Sequence, residues 1–411
     1  MQIRVARNAA LPKHSIAYRA APVKYMKSIH NLLDLALKSR ASDLILKADA
    51  PPALRIDGRI ASRPELGVVT FEEMHEMAMG ILYAATRDNL VRSGTAAGDD
   101  EAIGAGVAGA SADDLMRRLL DQQEIDAVFT VSGLVRVRAN LFLQRGAIGA
   151  ALRLIPLRPY SLDALMLPKV LKDQAMAPQG LILVTGPTGS GKSTTLAALV
   201  DHVTEHRRAN IVTVEDPVEY VFEDKNSVVS QREVGADTKS FATALRAVMR
   251  QTPDVIVIGE MRDADTMRVA LTAAEIGHLV ISTLHTISAV STIDRILNAF
   301  PPHERDQVRT QLAATLTCVV SQRLVLRATG TGRVPAVEVM TGSPTIKKQI
   351  EDGESLSDIY NSIKEGGHFG MNTLNQSLQG LVKARSVTAD EASAATNNLT
   401  ELKQMLRSAR Q

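Results

Sequence analysis

The residues with the clearest chemistry are Gly186, Pro187, Thr188, Gly189, Ser190, Gly191, Lys192, Ser193 and Thr194, which fit a phosphate-binding loop at every fixed position. The glycines let consecutive backbone N–H groups curl around phosphate oxygens, and the positive end of a following helix faces the same anion. Lys192 can bridge the outer phosphates of a nucleotide, and Ser193 can offer its hydroxyl to Mg2+. The flanks agree. Leu181-Ile-Leu-Val-Thr185 reads as a buried strand, and Thr195-Leu-Ala-Ala-Leu-Val200 reads as the start of a helix. A Gly-rich stretch alone is usually a turn. With strand, Lys-Ser and helix in this order it is a site for ATP or GTP.

Hydrolysis needs more than phosphate binding. It needs Mg2+ coordination, a group that orients or deprotonates water, and a sensor of the γ-phosphate. Three segments place suitable groups at strand ends. Val214-Glu215-Asp216-Pro217-Val218-Glu219-Tyr220 crowds three carboxylates where a buried strand stops, suited to activating water. Asp254-Val-Ile-Val-Ile-Gly-Glu260-Met-Arg262 has the usual form of the strand beside the loop strand, its acid facing the Mg2+ shell through a bound water. In Gly277-His278-Leu-Val-Ile-Ser-Thr-Leu-His285-Thr286 two histidines bracket a buried strand. His285 emerges at its nucleotide end, suited to sensing or coupling, whereas His278 has the weaker claim.

These groups must be held by a sheet. Leu181–Thr185, Ile211–Val214, Val255–Ile258 and Leu279–Thr283 are too apolar to own an exposed face, so they predict a parallel sheet covered on both sides. Beyond 302 the chain reads as mainly helical. Ahead of the loop the pattern is α+β: a helix over Ile29–Lys38, strands at Asp43–Lys47 and Ala53–Ile56, and a helix within Val68–Asn89 opened by Thr70 with Glu73 as a capping box. A hairpin over Val128–Asn140 and Ala147–Ile155 follows. Residues 93–114 hold five Gly, seven Ala and five acids with no base, the composition of a flexible, solvated insertion. The resulting division is a flexible tail over 1–27, an N-terminal α+β domain over 28–157, a linker over 158–170, an α/β ATPase domain with a helical C-terminal section over 171–395, and a tail over 396–411.

Composition narrows the function. A net charge of +2 gives no general case for nucleic acid, and there is neither Trp nor a basic-aromatic cluster, so no nucleic-acid partner is expected. The lone Cys318 excludes a disulfide framework and a multi-cysteine zinc site within one chain, and reads as a packing residue. No apolar run reaches membrane-spanning length, and the basic N-terminus lacks a signal-peptide core, so a cytoplasmic protein is expected.

Taken together, the phosphate loop, the acidic box, the Glu-ended strand and the histidine box resemble the hexameric ATPases of type II and type IV secretion systems, above all the pilus-retraction kind. Gln231-Arg-Glu-Val, Thr272-Ala-Ala-Glu-Ile-Gly-His278, Thr292-Ile-Asp-Arg295 and Gly370-Met-Asn-Thr-Leu374 match as well. The resemblance covers about residues 28–395. It implies a PAS-like N-terminal domain followed by a RecA-like ATPase domain, with ATP and Mg2+ as cofactors. It makes Glu219 the catalytic glutamate, gives Glu260 and Ser193 to the metal, and has His285 couple nucleotide state to motion. It also implies a homohexamer at the inner face of the bacterial inner membrane, working on a pilus platform protein, and it leaves room for a paralogous ATPase as a further partner. Basic residues of a neighbouring subunit would close the pocket, with Arg138, Arg145 and Arg153 as candidates. Alternatives stay open: an assembly or secretion ATPase of a type II, type IV pilus or Dot/Icm-like system, or a non-hydrolysing ATP-binding ring subunit. The lack of two Cys-x-x-Cys pairs favours retraction over assembly.

Overall fold

The computed structural model describes residues 22–87, 91–93 and 110–408. Most of the expected N-terminal tail, and positions 94–109 of the expected insertion, lie outside the described residues.

The first unit contains α1 (Pro22–Lys38), β1 (Ala41–Lys47), β2 (Ala53–Ile56), β3 (Arg59–Ser62), α2 (Phe71–Arg87), β4 (Val91–Ser93), α3 (Ala112–Gln122), β5 (Glu124–Val131), β6 (Val135–Gln144) and β7 (Ala147–Ile155). Its strands form one antiparallel sheet in the order β3-β2-β1-β7-β6-β5-β4. Along β6, Val135, Val137, Ala139 and Leu141 alternate into a core shared with Leu44 and Leu46 of β1 and with Leu33, Ile81 and Leu119 of the three helices. Thr70 and Glu73 form the anticipated reciprocal cap: the Thr70 N–H donates to Glu73 Oε2 at 2.9 Å and the Glu73 N–H to Thr70 Oγ1 at 3.2 Å.

Three readings need correction here. The helix read at Ile29 starts earlier, at Pro22, inside the stretch assigned to the tail. The end of the expected insertion is helical, because Ser111 caps α3 through Asp114. The single strand read over Val128–Asn140 is two strands, broken at Gly133 with φ +71°, so β5, β6 and β7 form a meander.

The second unit begins with α4 (Val170–Ala175), β8 (Gly180–Thr185), α5 (Lys192–His206), β9 (Asn210–Glu215), β10 (Val228–Glu233), α6 (Phe241–Val248) and β11 (Val255–Ile258). There follow α7 (Ala264–Glu275), β12 (Leu279–Leu284), α8 (Ala289–Asn298), α9 (Arg305–Thr315), β13 (Leu316–Leu326) and β14 (Arg333–Thr341). Five helices end the described chain: α10 (Pro344–Asp352), α11 (Leu356–Glu365), α12 (Leu374–Lys383), α13 (Ala389–Ala395) and α14 (Leu399–Ser408). The sheet runs β10-β9-β11-β12-β8-β13-β14, parallel except for β14. Its strands are apolar on both sides because both faces are covered. Leu181 and Leu183 of β8 enter the core under α6 to α9, whereas Ile182 and Val184 enter the core under α4 and α5. This is the RecA-like ATPase fold.

The four anticipated parallel strands are present, and β10, β13 and β14 extend the sheet they form. The section beyond 302 is therefore not mainly helical at its start: β13 lies directly against the loop strand β8. Cys318 sits on β13, fully buried, and burial pushes its thiol up to about 12, which keeps it inert. β11 is not beside the loop strand, since β12 stands between them. Leu162 and Leu167, within the stretch read as a linker, are buried against the core of α4 and α5. The stretch read as a C-terminal tail carries α14, which buries Leu402.

Candidate nucleotide site

The loop between β8 and α5 takes its shape from three glycines at positive φ: Gly186 at 143°, Gly189 at 78° and Gly191 at 92°. A Cβ at Gly186 would lie 2.4 Å from the carbonyl oxygen of Gln322 on β13, so only glycine lets the loop lie against that strand. A Cβ at Gly189 would meet nothing within 4 Å, because this side of the loop faces the cleft. Gln322 then fastens the loop. Its Nε2 donates to the Ser190 carbonyl at 2.6 Å, and its Oε1 accepts from Thr195 Oγ1 at 2.8 Å. Both ends of this buried amide are satisfied, so the loop is held in its phosphate-cradling form by a residue far away in sequence.

Lys192 opens α5, and its ammonium donates to the carbonyls of Gly186 at 2.9 Å and Pro187 at 3.2 Å. Its tip therefore lies in the loop's mouth. Burial lowers its pKa, and the carboxylates of Glu260 and Glu219 oppose that shift. His285, just past the end of β12, places Nδ1 3.4 Å from this ammonium and Nε2 3.0 Å from Glu260 Oε2. Arg262 pairs with the other Glu260 oxygen. Although β11 and β8 are not neighbours, their ends converge, because the ends of β11, β12 and β8 lie side by side. Lys192, Glu260 and His285 thus form one cluster, and Ser193 is exposed beside it.

The acidic box forms the facing wall. Glu215 is buried at the end of β9, accepting from Thr213 Oγ1 at 2.6 Å and Gln231 Nε2 at 3.1 Å. Burial raises its pKa to about 7, with those two hydrogen bonds opposing. Its first role is structural. Glu219, by contrast, is half-buried and lines the cleft with Ser193 and Glu260. Gln231 of β10 holds the intervening chain, donating to the Tyr220 carbonyl at 2.8 Å and accepting from the Phe222 N–H at 2.9 Å. Glu233 of β10 accepts from the Val218 N–H at 2.9 Å.

Among the arginines of the first unit, Arg138 and Arg153 line the same cleft, of about 1450 Å3, and Arg153 pairs with Asp43 at 3.1 Å. Arg145 is exposed in the β6–β7 turn at φ +50° and does not line it. The arginine that reaches the acidic box is Arg136, whose Nη2 donates to the Val218 carbonyl at 3.2 Å. Arg136 and Gln322 carried no reading in the sequence, and Gln231 stood there only as part of a segment matching the family pattern. The available signal for Arg136 was its place on the same face of β6 as Arg138.

The donor set fits a nucleotide with Mg2+. The loop supplies backbone N–H groups and an ammonium for phosphate, and Ser193 and Glu260 supply hard oxygen ligands, few enough for an ion that keeps waters and phosphate oxygens. Among the described residues no group of three or more His, Cys, Asp or Glu could hold a metal by itself.

Known proteins resemble this chain in sequence and in fold. Residues 117–389 match the family described as Type II/IV secretion system protein. The chain is 40% identical over 364 residues to the type IV pilus retraction ATPase PilT of Pseudomonas aeruginosa, covering 89% of this chain and 96% of that one. It is 42% identical to a twitching motility protein of Neisseria gonorrhoeae, covering 69% and 76%. Among solved structures, that of the pilus retraction motor PilT with bound ADP superposes with a TM-score of 0.74 at 39% identity, over 92% of this chain and 99% of that one. The Legionella pneumophila ATPase DotB, at 24% identity and a TM-score of 0.73 over 94% and 97%, shares the fold.

Proposed function

Since this chain belongs to the Type II/IV secretion system protein family, we propose that it is a Mg2+-dependent ATPase that works as a ring of six to retract a type IV pilus. The observation that carries this reading is the convergence of Lys192, Glu260 and His285 at the mouth of the phosphate loop, with Glu219 on the facing wall. The loop N–H groups and Lys192 bind and orient the phosphates. Ser193 and Glu260 are the residues that would hold Mg2+, which when bound neutralises charge developing on the phosphate oxygens. Glu219 faces the cleft and takes a proton from, or aligns, the attacking water. His285 touches both Lys192 and Glu260, so a change at the terminal phosphate moves a group at the end of β12. Arg138 and Arg153 lie on the sheet that faces the cleft and serve to close the pocket of an adjoining subunit.

No described helix is long and apolar enough to cross a membrane. The ring acts on a platform protein of the inner membrane from the cytoplasmic face, as the pilus assignment requires. A paralogous partner is compatible with the 32% identity to the type IV pilus ATPase PilU of Pseudomonas aeruginosa.

Two variants test the reading. Lys192→Ala is expected to lose nucleotide binding, measured by titration with a fluorescent ATP analogue. Glu219→Gln is expected to bind normally and turn over about 100-fold more slowly or worse. In the source bacterium, either variant should leave pili extended and surface motility lost. Turnover of Glu219→Gln at the parent rate would remove Glu219 from catalysis.

A further inference from the structure

Just beyond His285 the chain is gripped by residues from outside the nucleotide site. Glu338, in the middle of β14, is 3% exposed and accepts from the N–H of Ala289, the first residue of α8, at 2.6 Å. Its second oxygen faces the N–H of Leu374, the first residue of α12, at 3.4 Å. A buried carboxylate is costly unless donors and positive charge surround it. Here two helix N-termini and the Arg323 guanidinium do so. Arg323 also donates to the Ala395 carbonyl at 2.6 Å and to the Asn397 side-chain oxygen. Asn397 in turn donates through Nδ2 to the Ile287 carbonyl at 3.1 Å. Thr286 of the gripped loop places its Oγ1 2.6 Å from the Oγ1 of Thr292 in α8. The chain from His285 to Ala289 is thus set by β14 on one side and by the segment joining α13 to α14 on the other.

We propose that Glu338 and Asn397 are positioning residues that fix where His285 stands against Lys192 and Glu260, tying the hydrolysis site to the C-terminal helical section. The inference rests on the role given to His285 above. Neither residue lines the cleft, and neither touches the phosphate loop. Their loss should therefore spare nucleotide binding and slow the step that His285 serves. Movement of α13 and α14 is transmitted to His285 by the same contacts, in either direction.

The test is steady-state ATPase kinetics on the full chain for Glu338→Gln and Asn397→Asp, each alone and with His285→Ala. Asn397→Asp keeps a partner for Arg323 but cannot donate to Ile287, and its exposed site leaves the fold intact. For both single variants kcat should fall about tenfold, with KM for ATP within about twofold of the parent, as misplacement of a reacting group requires. In the His285→Ala background neither change should cost anything further. A purely structural role would give the same fold-loss with or without His285, or a raised KM, and either result overturns the proposal. If Glu338→Gln fails to fold, Asn397→Asp decides alone. A parent that turns over while Asn397→Asp matches it refutes this inference only. A parent without turnover refutes the proposed ATPase, and this inference with it.

Discussion

Glu215 and Glu219 belong to one short acidic box and do different work because their surroundings differ. Glu219 is half-buried at the cleft, whereas Glu215 is buried at the end of β9, and burial raises its pKa from 4.5 to about 7. The native state therefore holds the Glu215 proton more tightly than the unfolded chain does. The stability this gives is full below about pH 4.5 and is lost as pH rises through about 7, a difference of about 3 kcal/mol at most. Glu215→Gln keeps an oxygen for Thr213 and Gln231 without the charge. It should match the parent in thermal melts at pH 5 and melt higher at pH 8, and parallel pH profiles for the two proteins would contradict the account. At this scale much was legible from sequence. Lys192, Ser193, Glu260 and His285 each sit in a local pattern of strand, small residue and polar end, which points them to one edge of a sheet. Arg136 and Gln322 were not read, because polar residues on strands acquire their roles only through distant partners.

At the scale of elements, β13 shows what a sequence pattern hides. Leu316-Thr-Cys-Val-Val-Ser-Gln-Arg-Leu-Val-Leu326 mixes polar and apolar residues. Two of its polar members serve the phosphate loop on one face, through Gln322, and the C-terminal section on the other, through Arg323. Gln322 and Arg323 are neighbours that point in opposite directions, as strand residues must. The mostly apolar strands β8, β9, β11 and β12 announced themselves, while β10, β13 and β14 did not. Replacing Gln322 by Leu strands the Ser190 carbonyl and the Thr195 hydroxyl in a buried place. The expected cost is about 1–3 kcal/mol for each unpaired group, and because the loop loses its brace, KM for ATP should rise severalfold more than kcat falls. An unchanged KM together with an unchanged melting temperature would show that the brace is dispensable.

For the whole molecule, two sheets of different construction face one cleft, and the hydrogen bond from Arg136 to the Val218 carbonyl joins the first unit to the acidic box of the second. The division into an α+β unit and an α/β unit could be read from strand chemistry, since the strands ahead of residue 158 are amphipathic and most of those after it are not. What could not be read was that both ends of the described stretch are helices packed on a core, with α1 on the first core and α14 docked through Leu402. In the proposed motor, a cleft walled by both units would convert nucleotide contacts into a change of angle between them, and in a ring that angle would set the position of each neighbour. The most direct test of this account is the ATPase rate of the purified protein with and without Mg2+, measured together with its mass in solution. The account predicts Mg2+-dependent turnover by a species of six subunits. A monomer that binds ATP and does not turn it over with Mg2+ present would contradict it.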